Sequence, residues 1–120
     1  MDESFHNDKI SPDLLDAMIA APDHHEVLFE NERVRVLDSL VGPGGETPIH
    51  THRWPSVLYI LSTSDFIRYG PHGNVIFDSR TSETMAGIGQ AVWSPPLEPH
   101  FVRNVGETDI RVISVELKDS

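Results

Sequence analysis

Three histidines stand at spacings that suit metal chemistry. His50 and His52 are separated by one residue, and the apolar run 57–61 follows them. Alternate residues of a β-strand point to the same face, so these two imidazoles can aim at one point. His100 is a third histidine that is followed by strand-like sequence. Three convergent imidazoles on a β framework predict a site for a divalent metal ion.

The predicted ligand set is neutral and leaves room for other ligands. Three imidazoles occupy half of an octahedral coordination sphere, which suits Fe²⁺, Ni²⁺ or Mn²⁺, and also Zn²⁺ or Cu²⁺ with fewer bound waters. We favour Fe²⁺, although the sequence alone does not choose among these ions. The alternative is a vestigial pocket that holds no metal.

Two stretches of the chain resemble the two sequence motifs of the cupins. The first motif is G-x5-H-x-H-x3,4-E-x6-G, and the second is G-x5-P-x-G-x2-H-x3-N. The matching residues are Gly44, His50 and His52 in the first stretch, and Gly89, Pro95, His100 and Asn104 in the second. The resemblance spans roughly residues 27 to 117, judged by strand count. It implies a small single-domain jelly-roll β-barrel, with a metal site in many members of the family and frequent dimerisation.

The chain departs from the cupin pattern at two positions. Ser56 and Val57 stand where the family has a glutamate ligand, and Leu97 stands where the second motif has a glycine. The resemblance therefore implies either a three-histidine site, as in the diketone-cleaving cupin dioxygenases, or a degraded site. Glu98 is a candidate replacement ligand, but Pro99 beside it disturbs the alternation of a strand.

Tyr59 is the candidate catalytic residue outside the metal site. If Val57 faces the ion, alternation turns Tyr59 and Leu61 inward as well. The phenol would then donate a proton to a substrate or orient it. The alternative is a core tyrosine whose hydroxyl reaches the rim of the barrel. Asn104 is expected to orient a loop or a ligand histidine rather than to contact substrate.

The remaining histidines are predicted to lie on the surface. His24 and His25 are consecutive, so in a strand their side chains point apart and do not chelate one ion. His72 lies in a turn between Pro71 and Gly73, and His6 lies near the N-terminus. We expect all four to be solvent-exposed rather than functional.

Composition restricts the class of protein. A chain of 120 residues forms one domain, and its lack of cysteine excludes disulfides, thiolate ligands and a cysteine nucleophile. The N-terminus has neither a basic region nor an apolar run, so we predict no signal peptide. No apolar stretch approaches the length of a membrane span. These features predict a soluble cytoplasmic protein that does not bind membranes.

Negative charge is concentrated at the N-terminal end. Residues 1–32 contain nine acidic residues and one lysine, whereas the remaining residues contain ten acidic and eight basic residues, within a net charge of −10. No basic stripe is present, which argues against a nucleic-acid partner. The acidic segment is expected to serve solvation.

The chain divides into an acidic N-terminal arm and a β domain. The arm covers residues 1–26 and contains a short helix, with Ser11 as its N-cap, Pro12 at its first position and Pro22 at its end. The domain covers residues 27–120, where strands are predicted at 27–29, 34–41, 57–62, 66–69, 74–77, 81–86, 91–94, 101–105 and 110–117. Many short strands without long helices predict an all-β jelly-roll barrel.

Two functions fit these features. The first is a metal-dependent cupin of the dioxygenase type, an oxidoreductase that acts on a small chelating molecule, either acidic or enolisable. The alternative is a non-enzymatic cupin that binds or senses a small molecule, with a structural metal or none. A homodimer is also predicted, because segments 57–61 and 110–115 carry apolar residues on both faces.

Overall fold

Two antiparallel sheets make up the fold. The computed structural model describes residues 12–83 and 86–118. Its strands are β1 (His25–Glu30), β2 (Val34–Val41), β3 (His50–His52), β4 (Ser56–Ser62), β5 (Phe66–Tyr69), β6 (Val75–Asp78), β7 (Ala91–Ser94), β8 (Leu97–Asn104) and β9 (Ile110–Leu117). One sheet has the order β1-β2-β9-β4-β7 and the other β3-β8-β5-β6. The prediction of an all-β jelly roll is confirmed.

One predicted strand is absent from the described residues. The segment 81–86 was expected to be extended, but Ser79–Thr81 forms a 3₁₀ turn and residues 82, 83 and 86 belong to no strand. Asp78 caps the turn by accepting a hydrogen bond from the Arg80 amide. A short acceptor side chain at this position competes with extended pairing, so the chain turns here instead of continuing.

The N-terminal helix is short and interrupted. The described elements are a 3₁₀ turn at Pro12–Leu15, the α-helix α1 at Ala17–Ala20 and a second 3₁₀ turn at Pro22–His24. Asp16 caps α1 by accepting a hydrogen bond of 3.1 Å from the Met18 amide. Ala17 and Ala21 are buried, whereas Ile19 is exposed. The predicted N-cap, Ser11, lies outside the described residues.

Both glycines that open the predicted motifs lie in turns that favour glycine. Gly44 has a φ of 75° and Gly89 a φ of 83°. A side chain at such an angle is strained, because its Cβ crowds the backbone. Gly44 precedes β3 and Gly89 precedes β7, so each turn leads into a strand of the barrel.

Asn104, at the end of β8, ties the neighbouring loops together. Its Nδ2 donates to the carbonyl oxygens of Val41 and Thr108, at 2.9 and 2.8 Å. Its Oδ1 accepts from the Ser64 hydroxyl at 2.9 Å and from the Gly106 amide at 3.0 Å. The side chain is buried with its hydrogen-bonding capacity filled, which confirms the expectation that Asn104 orients a loop.

The space between the sheets is a cavity rather than a solid core. It has a volume of about 520 Å³ and is lined by residues from both sheets. Few large apolar side chains are fully buried, and Leu37 is the largest of them. A cavity of this size accommodates a small organic molecule. In the described part of the chain, no helix is long and apolar enough to cross a membrane.

Candidate metal centre and cavity

The register of β3 against β8 brings two predicted ligands face to face. His50 pairs directly with His100 in this antiparallel ladder. Directly opposed residues share a face of the sheet, and the two ring centroids lie 4.5 Å apart. A β-bulge follows, so that His52 pairs with Leu97. The His52 ring centroid nevertheless lies 5.7 Å from that of His100.

A fourth histidine, His25, joins this cluster from the other sheet. Its ring centroid lies 5.0 Å from that of His50 and 5.4 Å from that of His52. One ligand atom from each of these three rings falls within 4.8 Å of the others. His25, His50 and His52 can therefore hold a metal ion, and His100 lies beside them.

The prediction that His25 is solvent-exposed is wrong, and so is the prediction that it cannot join other histidines around one ion. His25 is only 7% exposed, because it is the first residue of β1 and pairs with Ser39, which lines the cavity. The expected divergence from His24 is real, since the Nδ1 of His24 lies 3.0 Å from the Leu40 carbonyl outside the cluster. Because the side chains of His24 and His25 point apart, His25 points into the barrel. His72 is exposed as expected, and His6 lies outside the described residues.

Each histidine of the cluster has an oxygen acceptor at its Nδ1. The partners are the carbonyl oxygen of Ala21 for His25 (2.9 Å), that of Pro48 for His50 (2.9 Å), that of Glu98 for His100 (2.7 Å) and the Glu116 carboxylate for His52 (3.4 Å). These oxygens only accept, so each Nδ1 carries a proton. In neutral His25, His50 and His100, Nε2 therefore keeps its lone pair. This is the tautomer that metal-binding histidines usually adopt.

Burial keeps His25, His50 and His100 neutral. It lowers the pKa of His50 to about 2 and the pKa values of His25 and His100 to about 4. Charged neighbours in the cluster act in the same direction, because two imidazolium ions at this separation repel each other. At neutral pH these three imidazoles are therefore ready to donate to an ion without first losing a proton.

A buried ionic network supports His52. Glu116 is 1% exposed and pairs directly with Arg35 across the β2–β9 ladder, where the Arg35 Nε donates to it at 2.5 Å. Arg35 also donates two hydrogen bonds to Asp16, of 2.9 and 3.0 Å. Burial pushes the pKa of Glu116 upward, but hydrogen bonds from His52 and Arg35 outweigh it and hold the pKa low. The network thus joins the cap of α1 to the histidine cluster.

Tyr59 and Val57 do not face the cavity, which corrects the predicted parity of β4. Tyr59 is 45% exposed and Val57 is 37% exposed. The inward positions are those of Ser56, Leu58 and Ile60, all of which line the cavity. The reason is register, since Ser56 pairs with the inward-facing Glu116 of β9. Tyr59 therefore has no place in the candidate site.

The cavity wall is mostly apolar with scattered hydroxyls. Serine and threonine residues interrupt the apolar side chains, and one arginine, Arg68, reaches the cavity from β5. Among the described residues, no aspartate, glutamate, lysine, tyrosine or cysteine lines it. The wall thus offers binding contacts but no acid–base group apart from the imidazoles.

Comparison with known proteins identifies the architecture. A cupin domain from Bordetella pertussis is 27% identical, with a TM-score of 0.63, and the match covers 79% of this chain and 92% of that one. A double-stranded β-helix protein from Klebsiella pneumoniae is 19% identical, with a TM-score of 0.54, and the match covers 96% and 90%. The chain belongs to the cupin superfamily. An RmlC-like cupin from Methanocaldococcus jannaschii, at 15% identity and a TM-score of 0.55 over 78% and 77%, shares the fold. No protein-family model and no curated protein matches the sequence.

Of the two positions where the cupin sequence pattern would place a glutamate, Ser56 is the one that faces inward. It is 5% exposed, whereas Val57 beside it faces outward. Glu98 does not bring a carboxylate to the cluster, because its side chain is exposed and only its carbonyl oxygen contacts His100. The carboxylate nearest to the histidine cluster belongs instead to Glu116, which contacts an Nδ1 atom.

Sequence reasoning missed three residues of this cupin site: His25, Glu116 and Arg68. A signal existed for two of them. Glu116 and Arg68 are charged residues inside strands that are otherwise mainly apolar. A charge at an inward position is rare unless it has a partner or a function. No local signal marks His25, whose role depends on pairing with a distant strand.

Proposed function

We propose that this protein is a metal-dependent cupin in which His25, His50, His52 and His100 hold one divalent ion at the cavity wall. The observation that carries the proposal is the convergence of His25, His50 and His52, with the His100 ring beside those of His50 and His52. Each of the four imidazoles has an oxygen acceptor at Nδ1. Hydrogen bonds of this kind fix the tautomer and ring orientation of metal ligands. The three histidines drawn from the cupin motifs thus gain a fourth ligand in place of the glutamate.

The donor set fits an ion that prefers nitrogen ligands better than one that prefers oxygen ligands. Imidazole nitrogen suits Fe²⁺, Ni²⁺, Zn²⁺ and Cu²⁺, whereas carboxylate and carbonyl oxygen suit Mg²⁺, Ca²⁺ and Mn²⁺. Four neutral ligands leave an ion with its full double charge, which attracts anionic oxygen donors. Fe²⁺ remains the favoured ion, and when bound it would supply Lewis-acid and redox chemistry.

The chain's own residues would bind and orient the small molecule. Leu58 and Ile60 give the cavity an apolar wall that excludes water, and Ser114 is among the hydroxyls that can hydrogen-bond a polar group. Since no carboxylate or phenol lines the described cavity, proton transfer by the protein would fall to the hydroxyls and imidazoles. We therefore propose an oxidoreductase of the dioxygenase type, whose substrate is a small acidic or enolisable molecule that chelates the ion.

The same lack of acid–base groups favours a second candidate, a cupin that binds or senses a small molecule without converting it. The two candidates differ in whether the ion has an open position. The test is to load the protein with Fe²⁺ without oxygen, measure its metal content and add nitric oxide, a neutral stand-in for dioxygen. A new paramagnetic signal would support the oxygenase. An iron-loaded protein that gives none would favour the binding module, and failure to retain any ion would refute the metal site.

A further inference from the structure

Arg68 is a partly buried cation with an unsatisfied donor atom inside the fold. It lies on β5 opposite Val102 of β8, and both residues line the cavity between the sheets. Its Nε atom is buried and has no hydrogen-bond partner. The nearest aromatic contact is weak, with the guanidinium carbon 6.0 Å from the centroid of the Phe77 ring. Burial lowers the pKa of Arg68, as expected for a desolvated cation.

Three other arginines of the described chain, Arg35, Arg80 and Arg111, are matched by carboxylates. Arg35 contacts Asp16 and Glu116, and Arg111 contacts Asp38. No carboxylate in the described residues lies within ion-pair distance of Arg68. Burying a charge without a partner costs free energy, so a native protein keeps such a group where something else neutralises it. At a cavity wall, that partner can be a ligand.

The positive charge of Arg68 belongs to the same cavity as the histidine cluster. The lining of this cavity includes Arg68 together with His25, His50, His52 and His100. An anion at Arg68 would therefore lie in the same cavity as the cluster. Much of the remaining wall nearby is apolar, including Phe66 and Val102.

We infer that Arg68 is the binding residue for the carboxylate of a small organic acid whose apolar body fills the cavity. A planar guanidinium matches a carboxylate with two parallel hydrogen bonds. A phosphate dianion fits less well, because Arg68 is the only arginine or lysine lining the described cavity. The volume of about 520 Å³ admits a small acid but not a polymer. This inference narrows the substrate class of the proposed function. It depends on the proposed function only for the role of the metal ion.

The test is a calorimetric titration of metal-free protein with butyrate, butyramide and butyl phosphate. These probes share an apolar body and differ in charge. The variants are Arg68→Met, which keeps much of the side-chain length without the charge, and Arg68→Lys, which keeps the charge without the planar guanidinium group. Arg103→Met is the matched control, since Arg103 is exposed on β8 in the same sheet. Circular dichroism checks that each variant is folded.

We expect butyrate to bind wild type and Arg103→Met equally, and Arg68→Met about 10- to 100-fold more weakly. Arg68→Lys should fall between them, and butyramide should bind weakly to all four proteins. Equal butyrate affinity for wild type and Arg68→Met would overturn the inference. So would the absence of butyrate binding to wild type at millimolar concentration, or a preference for butyl phosphate.

Metal content separates this inference from the proposed function. Arg68 is no ligand in the proposed site, so Arg68→Met should retain as much metal as wild type. If the ion binds but butyrate ignores Arg68, only the carboxylate assignment fails. If butyrate depends on Arg68 but no ion is retained, only the metal site fails.

Discussion

The two adjacent histidines His24 and His25 allow a sharp test of the metal centre. They have the same side chain and neighbouring positions, but only His25 belongs to the cluster. His25→Ala should therefore weaken metal binding, and His24→Ala should not. His25→Gln is a second variant that keeps most of the buried volume, in case the alanine leaves a harmful cavity.

The size of the effect follows from the number of ligands. Structural Zn²⁺ sites with four ligands contribute about 10–16 kcal/mol, so one ligand of four is worth about 3 kcal/mol. This corresponds to a loss of affinity of about 100-fold or more. The hydrogen bond between His25 and the Ala21 carbonyl would also disappear, leaving a buried acceptor. His24 is only partly buried outside the cluster, so its removal should change little.

The assay is a competition between the protein and a chromophoric chelator for Co²⁺, whose visible spectrum also reports the number and type of ligands. Thermal unfolding of the metal-free variants separates lost folding stability from lost affinity. Added metal should raise the melting temperature of wild type and of His24→Ala, with a smaller rise for His25→Ala, because ligand binding stabilises only the folded state.

Equal Co²⁺ affinity for wild type, His25→Ala and His24→Ala would refute the four-histidine site. The proposal would then return to His50, His52 and His100 as ligands. A spectrum of the His25 variants that still shows the wild-type ligand set would lead to the same conclusion, even if affinity fell for another reason.

Three further outcomes are expected. Ser56→Glu should strengthen Mn²⁺ retention by adding an inward carboxylate, whereas Val57→Glu should leave Mn²⁺ retention unchanged. Metal titration measures both variants, and equal effects would contradict the register of β4. Arg35→Met should lower the free energy of unfolding by about 3–5 kcal/mol, because it leaves the buried carboxylates of Asp16 and Glu116 without their partner. The exposed control Arg111→Met should have little effect, and urea titrations measure both variants. We also expect a homodimer through the outer face of the larger sheet, where exposed Val57 pairs with exposed Trp93. Light scattering should give about twice the 13.4 kDa chain mass for wild type and a smaller value for Val57→Glu, and a monomeric wild type would reject the dimer.

The spacing of residue types along the chain was enough to predict the β framework and two of the strands that carry the histidine cluster. The interval between His50 and His52 places two rings on one face of a strand, because side chains alternate with a period of two. Most strand positions followed from alternation and turn residues, and the segment 81–86 failed because a side-chain cap at Asp78 competed with extended pairing. The order of the strands in each sheet was not readable in this way.

Only the tertiary structure decided which residues meet inside the barrel. A shift of one residue reverses the faces of a strand, so the parity of β4 depended on pairing Ser56 with Glu116, sixty positions away. The same long-range pairing turns His25 inward and places Arg68 in the cavity wall. Sequence alone thus determined that histidines, strands and motif glycines were present at useful spacings. Contacts between distant strands determined that His25 joins the cluster, that Tyr59 faces outward and that Arg68 lines the cavity, because no local pattern encodes register.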